Sequence, residues 1–266
     1  MAFFSVDAVW TTLTVWGILA ITFGLFFGGF CKGVSGVGTP LIVLPIASIF
    51  VPVPKAVSLL SVAVIVTNSF QLWSSGHAVA VTKRFGLLTA VLAVSIVVGT
   101  ELLVTMPPAL LIALMGTIML VYPLSRLIGR DKPFTLRQEG VLGPPIAAIS
   151  GLLGGLTGLF GPPLLVFFAI QRLDKHFYIG TVALIFLSGY VALSASLANH
   201  GILGEGDVLV SIIALIPILL GLRLGEIIRQ RISQKGFELV VMGQLTVMGV
   251  SLIWRGLHQC GGLTCL

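Results

Sequence analysis

Long apolar stretches dominate this chain and leave little sequence between them. Charged or turn-rich residues divide it into about ten apolar segments, and only 9% of its residues are charged. A soluble domain carries roughly 25% charged residues, so this chain could not cover a surface that faces water. Because about 20 apolar residues cross the hydrocarbon of a bilayer as a helix, the sequence predicts an integral membrane protein.

The apolar segments are predicted to be helices in two groups of five. Within a bilayer only helices and closed barrels satisfy their own backbone, and these runs lack the alternation of barrel strands. The predicted fold class is therefore all-α. The segments are 9–30, 39–51, 56–73, 85–104 and 109–127, followed by 141–159, 162–170, 178–198, 208–222 and 237–254. A first membrane repeat is predicted at 1–127, a basic cytoplasmic linker at 128–140 and a second membrane repeat at 141–266.

Each group contains one segment too short to span a bilayer, 39–51 or 162–170, and each of these follows a glycine-rich break. A shift of 122 residues superposes the two breaks. It aligns Gly33 with Gly155, Ser35 with Thr157, Gly36 with Gly158 and Pro40 with Pro162. Short interrupted segments at matching places in two halves are typical of a transporter's binding site. The sequence therefore predicts a duplicated chain with a broken or re-entrant short helix in each half.

Basic residues predict how the two halves are oriented. Cytoplasmic loops are enriched in Lys and Arg, and one threading places all four basic clusters on that side with both termini outside. The five segments of the second half then run inverted to those of the first, a common transporter plan. The clusters are Lys83 and Arg84; Arg126, Arg130, Lys132 and Arg137; Arg172 and Lys175; and Arg223, Arg229, Arg231 and Lys235. The net charge of +6 comes without a dense basic run, so nucleic acid is not an expected partner.

The two breaks form the predicted substrate site. Pro40 and Pro162 suit the first turn of a helix, and Thr39 is predicted to cap one of these turns. Helix N-termini aimed into the protein favour an anion. Lys32 is a further candidate, because a cation at membrane depth is costly and usually faces a cavity or a partner. The candidate substrate-binding residues are Lys32, Gly33, Ser35, Gly36, Gly38, Thr39, Pro40, Asn68, Gln71, Thr157, Gly158, Gly161 and Pro162, of which Ser35, Thr39 and Thr157 would add hydroxyl donors.

These features also allow plainer interpretations. The glycines would serve helix packing alone, since Gly24 and Gly28 have the spacing of close helix pairs. Lys32 would extend to the membrane interface, and Asn68 and Gln71, three residues apart on one helical face, would only bridge helices. Glu101 is either a proton-coupling group or an interfacial carboxylate. No catalytic triad or metal-ligand spacing occurs in the sequence, so neither an enzyme nor a metal site is predicted.

At the two breaks the chain resembles the sulfite exporter TauE/SafE family, also called the TSUP family of membrane transporters. The stretches that carry the resemblance are GVSGVGTP at 33–40 and GLLGGLTGLFGP at 151–162. Length, basic linker and duplicated layout are similar too, although Val34, Ser35 and Val37 interrupt the usual run of glycines. The resemblance implies export or uptake of sulfur-containing anions such as sulfite, thiosulfate or sulfonates. It also implies a bacterial inner membrane and no bound cofactor.

The leading hypothesis is a secondary transporter that exports a small sulfur-containing anion. It would work by alternating access around a midplane site between the two breaks. The alternative is a passive anion channel that uses the same breaks. Expected partners are the anion and the lipid bilayer, and association with a second copy of the chain is left open.

Overall fold

A computed structural model describes residue 10, residues 12–103, 105–127, 135–171 and 173–228, and short pieces between 242 and 258. The described residues form helices and no strand. Six of these helices are long and apolar enough to cross a membrane. The predicted all-helical, multi-pass membrane protein is therefore confirmed.

Nine helices are labelled in chain order. The first five are α1 (Val15–Ser35), α2 (Thr39–Phe50), α3 (Val53–Ser74), α4 (Ala78–Leu103) and α5 (Pro108–Leu127). The next four are α6 (Leu136–Thr157), α7 (Gly161–Ile170), α8 (Lys175–Asn199) and α9 (Glu205–Ile228). Helical residues between 242 and 258 pack against α5, where Gly116 lies against the backbone of Gly249. The candidate membrane spans lie in α1, α3, α4, α6, α8 and α9, whereas α2 and α7 have only 12 and 10 residues.

Closely packed glycines join α1 to α9 and α6 to α4. A Cβ atom at Gly29 or Gly33 would collide with a backbone carbonyl of α9. A Cβ atom at Gly151 or Gly155 would collide in the same way with α4. These four glycines let the helix backbones touch, as small residues do in membrane bundles. The packing interpretation of the glycines therefore holds for Gly33, whose Cα faces α9.

One end of the bundle, which we call the arginine end, is held by Arg84. Its guanidinium donates two hydrogen bonds to Glu139, from Nε to Oε1 at 2.9 Å and from Nη2 to Oε2 at 2.6 Å. The same group lies 3.4 Å from Oε1 of Gln171. These contacts bring together the start of α4, the start of α6 and the residue that follows α7. α4 begins at Ala78, before the predicted 85, and therefore includes the charged residues Lys83 and Arg84.

The opposite end, which we call the aspartate end, is held by the fully buried Asp207. Its carboxylate accepts from Lys55 Nζ at 2.7 Å, from Trp10 Nε1 at 2.8 Å and from the backbone N–H of Gly204 at 2.9 Å. Lys55 also donates to the carbonyl oxygen of Ile202 at 2.8 Å. This network joins the starts of α3 and α9 and the loop that follows α8.

The two short helices run back along the helices that precede them. Gly17 near the start of α1 lies against Phe50 at the end of α2, and α2 leads into the start of α3 at the aspartate end. Gly143 near the start of α6 lies against Phe167 in α7, and α7 ends beside Gln171 at the arginine end. The α1–α2 hairpin therefore opens toward the aspartate end and the α6–α7 hairpin toward the arginine end.

Candidate functional site

The two breaks end their preceding helices in the same way. Gly36 follows α1 with φ +83°, and its N–H donates to the carbonyl of Lys32 at 2.8 Å. Gly158 follows α6 with φ +75°, and its N–H donates to the carbonyl of Gly154 at 2.7 Å. Glycine enters this left-handed region without the steric cost that a Cβ atom would bring. Each break is thus a helix stop that favours glycine.

A hydroxyl residue shapes the turn at each break. The Ser35 hydroxyl lies 2.9 Å from the carbonyl of Cys31, and the Thr157 hydroxyl donates to the carbonyl of Leu153 at 2.7 Å. Each oxygen also accepts from the N–H two residues later, at 3.2 Å in both cases. Such local bonds compete with helical hydrogen bonds and favour a turn. Both hydroxyls were predicted to donate hydrogen bonds to an anion. In this conformation both are hydrogen-bonded to backbone groups instead.

Both short helices restart on proline, as predicted. α2 begins one residue before Pro40 and α7 one residue before Pro162. The prediction that Thr39 caps α2 is wrong. Gly38 holds the cap position, and no side-chain hydrogen bond caps the helix. Because Thr39 already belongs to α2, its hydroxyl contacts α1 instead, 3.3 Å from the carbonyl oxygen of Gly28.

A small pocket lies at the first break, where α1, α2, α3 and α8 meet. In this conformation it has room for about one water-sized molecule. Five of its seven lining residues belong to the predicted set. The lining consists of Lys32, Gly36, Val37, Gly38, Pro40, Asn68 and Phe186. The sequence-predicted first break and the polar face of α3 therefore meet at one place.

Lys32 brings an amino group to this pocket, which carries a positive charge when it is protonated. Its side chain is buried, and its ammonium donates to Oγ1 of Thr67 at 2.8 Å. The Thr67 hydroxyl donates in turn to the carbonyl of Ala63 at 2.8 Å. Within the described part of the chain, no carboxylate lies within salt-bridge distance of Lys32. A buried charge without a counter-charge is costly, so the pocket favours a negatively charged ligand.

Of the two predicted amides on α3, only Asn68 reaches the pocket. Asn68 is buried and its Nδ2 donates to the carbonyl of Val64 at 2.7 Å, while the residue lines the pocket. Gln71 lies about one turn further along α3, buried but outside the lining. Glu101 also lies outside it, exposed on α4 with Oε1 3.1 Å from Nε2 of His200.

The second break lies behind the wall of this pocket, where Gly161 contacts the ring of Phe186. Thr157, Gly158, Gly161 and Pro162 are buried there, but none of them lines the pocket at the first break. Their part in anion binding stays a prediction, as does that of Gly33, Ser35, Thr39 and Gln71, which lie outside the lining as well.

Three residues of the site were missed by sequence reasoning: Val37, Thr67 and Phe186. Val37 lies within the first break, but its side chain is apolar and has no hydrogen-bonding group. Thr67 stands directly before Asn68 in an apolar segment, so the polar pair was the available signal. Phe186 comes from α8 in the other half, and nothing in its local sequence links it to Lys32. An aromatic residue in an apolar span is indistinguishable from core until the tertiary contacts are known.

Comparison with known proteins places the chain in a family. The family model described as sulfite exporter TauE/SafE matches residues 20–252, which includes Lys32, both breaks and Phe186. Neither a curated protein nor a solved structure matches the chain. The match covers most of the sequence, and it agrees with six apolar helices and a cationic pocket. The chain therefore belongs to the sulfite exporter TauE/SafE family, whose members are membrane transporters of sulfite-type anions.

Proposed function

We propose that this protein is a secondary transporter that exports a small sulfur-containing anion, such as sulfite, thiosulfate or a small organosulfonate. The observation that carries the proposal is Lys32. Its ammonium is buried beside the first break and hydrogen-bonded only to a neutral hydroxyl among the described residues. An oxyanion in the pocket would supply the negative charge that the fold does not.

The backbone at the first break adds to this attraction. α2 begins at the pocket with Pro40 in its first turn and without a side-chain cap. A helix N-terminus near a charge contributes about 0.3–1 kcal/mol when exposed and up to about 2 kcal/mol when partly buried. Lys32 and one helix terminus together would hold an anion only moderately tightly. A carrier needs such binding, because it must release what it binds.

Inverted repeats would provide the alternating access. The α1–α2 and α6–α7 hairpins open toward opposite ends of the bundle. Glycines related by the shift of 122 residues pack α1 of the first half onto α9 of the second, and α6 of the second half onto α4 of the first. We infer that both hairpins are re-entrant and that the two halves rock against each other around the pocket, as in other inverted-repeat transporters. The arginine end would face the cytoplasm of the inner membrane, with both termini outside.

Flux measurements in proteoliposomes test this function. We expect saturable uptake of sulfite, and we expect an internal load of sulfite to accelerate it by counter-transport. Lys32→Met should weaken the apparent affinity about tenfold, near 1.4 kcal/mol, because it removes the charge but keeps most of the volume. Lys32→Glu should abolish uptake, since it places a carboxylate beside the anion.

The control is Lys83→Met, which removes an exposed lysine near the arginine end. It should leave the apparent affinity unchanged. Cation flux without anion flux in the parent, or equal affinities in the parent and Lys32→Glu, would refute the proposal. Flux that does not saturate and shows no counter-transport would favour the channel alternative instead.

A further inference from the structure

Phe186 forms the aromatic wall of the pocket. It comes from α8 in the second half, whereas the other six lining residues come from the first half. Its side chain is only 5% exposed, and it lines the same small pocket as Lys32 and Asn68. The part of the wall that the second half contributes is therefore a ring with no hydrogen-bonding atom.

The ring of Phe186 is held in position by contacts with Gly161 and Phe160. A Cβ atom at Gly161 would lie 2.8 Å from Cζ of Phe186, so the ring tip rests on the first residue of α7. The ring centroid lies 5.0 Å from that of Phe160, the residue just before α7. Phe186 therefore cannot swing away from the pocket toward α7 without displacing either of these neighbours.

Phe160 is itself wedged in place. It is fully buried, and its ring centroid lies 5.7 Å from that of Tyr190. A Cβ atom at Gly189 would lie 2.6 Å from its Cζ, and a Cβ atom at Gly154 would collide with its own Cβ. The ring thus fills the space between two glycines on α6 and α8. Dense packing of this kind leaves a side chain no alternative rotamer without strain.

The shift of 122 residues that relates the two breaks shows which residues of the first half correspond to Phe160 and its neighbours. It pairs Lys32 with Gly154, Thr67 with Gly189 and Gly38 with Phe160. In the first half Lys32 spans from α1 to Thr67 on α3. In the second half the Phe160 ring spans the corresponding pair of helices.

One half therefore has a cationic pocket and the other an aromatic plug. The plug in the second half is what backs the wall of the pocket in the first.

We propose that Phe186, backed by Phe160, sets the size limit of the transported anion. The pocket as it stands has room for about one water-sized molecule and must open to take any anion; on opening, the limit admits a compact oxyanion such as sulfite and excludes sulfonates that carry a bulky organic group. This inference rests on the proposed function and concerns the same pocket. It assigns selectivity to a residue that contributes no charge and lies in the opposite half of the chain.

Phe186→Ala tests the size limit. Uptake of sulfite, methanesulfonate and benzenesulfonate is compared in proteoliposomes that carry the parent or the variant. Apolar pockets discriminate by about 10- to 200-fold between ligands that differ by one methylene group. Removing the Phe186 ring should therefore raise the ratio of benzenesulfonate uptake to sulfite uptake at least tenfold. Lys32→Met added to Phe186→Ala should weaken the affinity for sulfite and for benzenesulfonate alike, because both anions would contact Lys32.

The matched control is Phe168→Ala. It removes a ring of the same size that is equally buried in α7 but packs on Phe85, with 5.2 Å between centroids, and not on the pocket. It should leave the ratio at the parental value. If Phe186→Ala does not accumulate in the membrane, Phe186→Leu should raise the ratio in the same direction by a smaller factor.

The outcomes separate this inference from the proposed function. Sulfite uptake that depends on Lys32, together with an unchanged ratio in both Phe186 variants, would overturn the size limit and leave the transporter intact. An equal rise in Phe168→Ala would also overturn it, because general loosening would then explain the result. Absence of any uptake that depends on Lys32 would overturn both.

Discussion

The Lys32 ammonium and the Thr67 hydroxyl form the polar centre of the pocket. Thr67 accepts a hydrogen bond from Lys32 at 2.8 Å and donates one to the backbone carbonyl of Ala63 in α3. The lysine chain is long and flexible, so this single bond selects one position for the charge. Thr67 is therefore a positioning residue, which acts on an anion through Lys32.

Replacing Thr67 should change the affinity for the anion more than the rate of turnover. Thr67→Val removes the acceptor but keeps the shape, and losing one hydrogen bond to a charged group costs about 1.5–3 kcal/mol. We expect a higher KM for sulfite with a similar maximal rate. Thr67→Ser retains the oxygen and should restore the parental KM, which a purely structural role of the methyl group would not allow. The check is concentration-dependent uptake by the three proteins.

Each break is an element with a fixed anatomy: an αL glycine, a hydroxyl turn and a proline restart. The sequence was sufficient to predict the short helices, placed at 39–51 and 162–170 and observed at Thr39–Phe50 and Gly161–Ile170. Proline and glycine act within a few residues, so local sequence reports them. The start of α4 was predicted less well, because the charged residues Lys83 and Arg84 end the apolar pattern although they lie within the helix, where Arg84 pairs with Glu139. The Phe186 wall depends on tertiary contacts alone and could not be predicted.

Alanine substitutions at three glycines separate backbone strain from crowding. Gly36, Gly76 and Gly158 all have positive φ, where a Cβ atom costs about 1–2 kcal/mol. At Gly76 nothing lies within 4 Å of that Cβ, and at Gly36 the nearest atom is 3.4 Å away. At Gly158 two buried side chains of the first half, Val57 and Leu44, would lie 2.8 and 2.9 Å away.

In detergent, the unfolding temperature of Gly158→Ala should therefore be well below those of Gly36→Ala and Gly76→Ala, which should be similar to each other. Uptake should separate those two: Gly36→Ala alters the pocket lining and should lower the affinity for sulfite, whereas Gly76→Ala should not. Equal unfolding temperatures for all three would show that the core around Gly158 yields freely.

At the scale of the whole molecule, the two halves share a layout but differ in chemistry. Helices pair across the shift of 122 residues, and the close glycine contacts of α1 with α9 are repeated by α6 with α4. The matching layout of the two breaks could be predicted, because both keep two glycines, a hydroxyl residue and a proline at the same spacing. The divergence into a cationic pocket and an aromatic plug could not, because it depends on which side chains fill the space between helices.

Labelling of single cysteines tests the arrangement of the two halves. In a background without the native cysteines, Lys83→Cys and Arg137→Cys place thiols on exposed positions near the arginine end. Asn199→Cys places one on an exposed position at the end of α8, toward the aspartate end. An impermeant maleimide should reach the first two only from the cytoplasm and the third only from outside. Labelling of Arg137→Cys and Asn199→Cys from the same side would contradict the inverted arrangement.

The position of Asn68 on α3 makes the two routes to the pocket electrically unequal. Asn68 lies six residues before the end of the 22-residue α3, which is about 9 Å of a helix about 33 Å long. If the membrane potential falls evenly along the helix, about two-thirds of it lies between the pocket and the aspartate end. A full crossing is worth about 2.3 kcal/mol per elementary charge at 100 mV, so an anion gains or loses most of that energy on one side of the pocket. Voltage would then act more strongly on the exchange of the anion with the aspartate side than on its exchange with the arginine side.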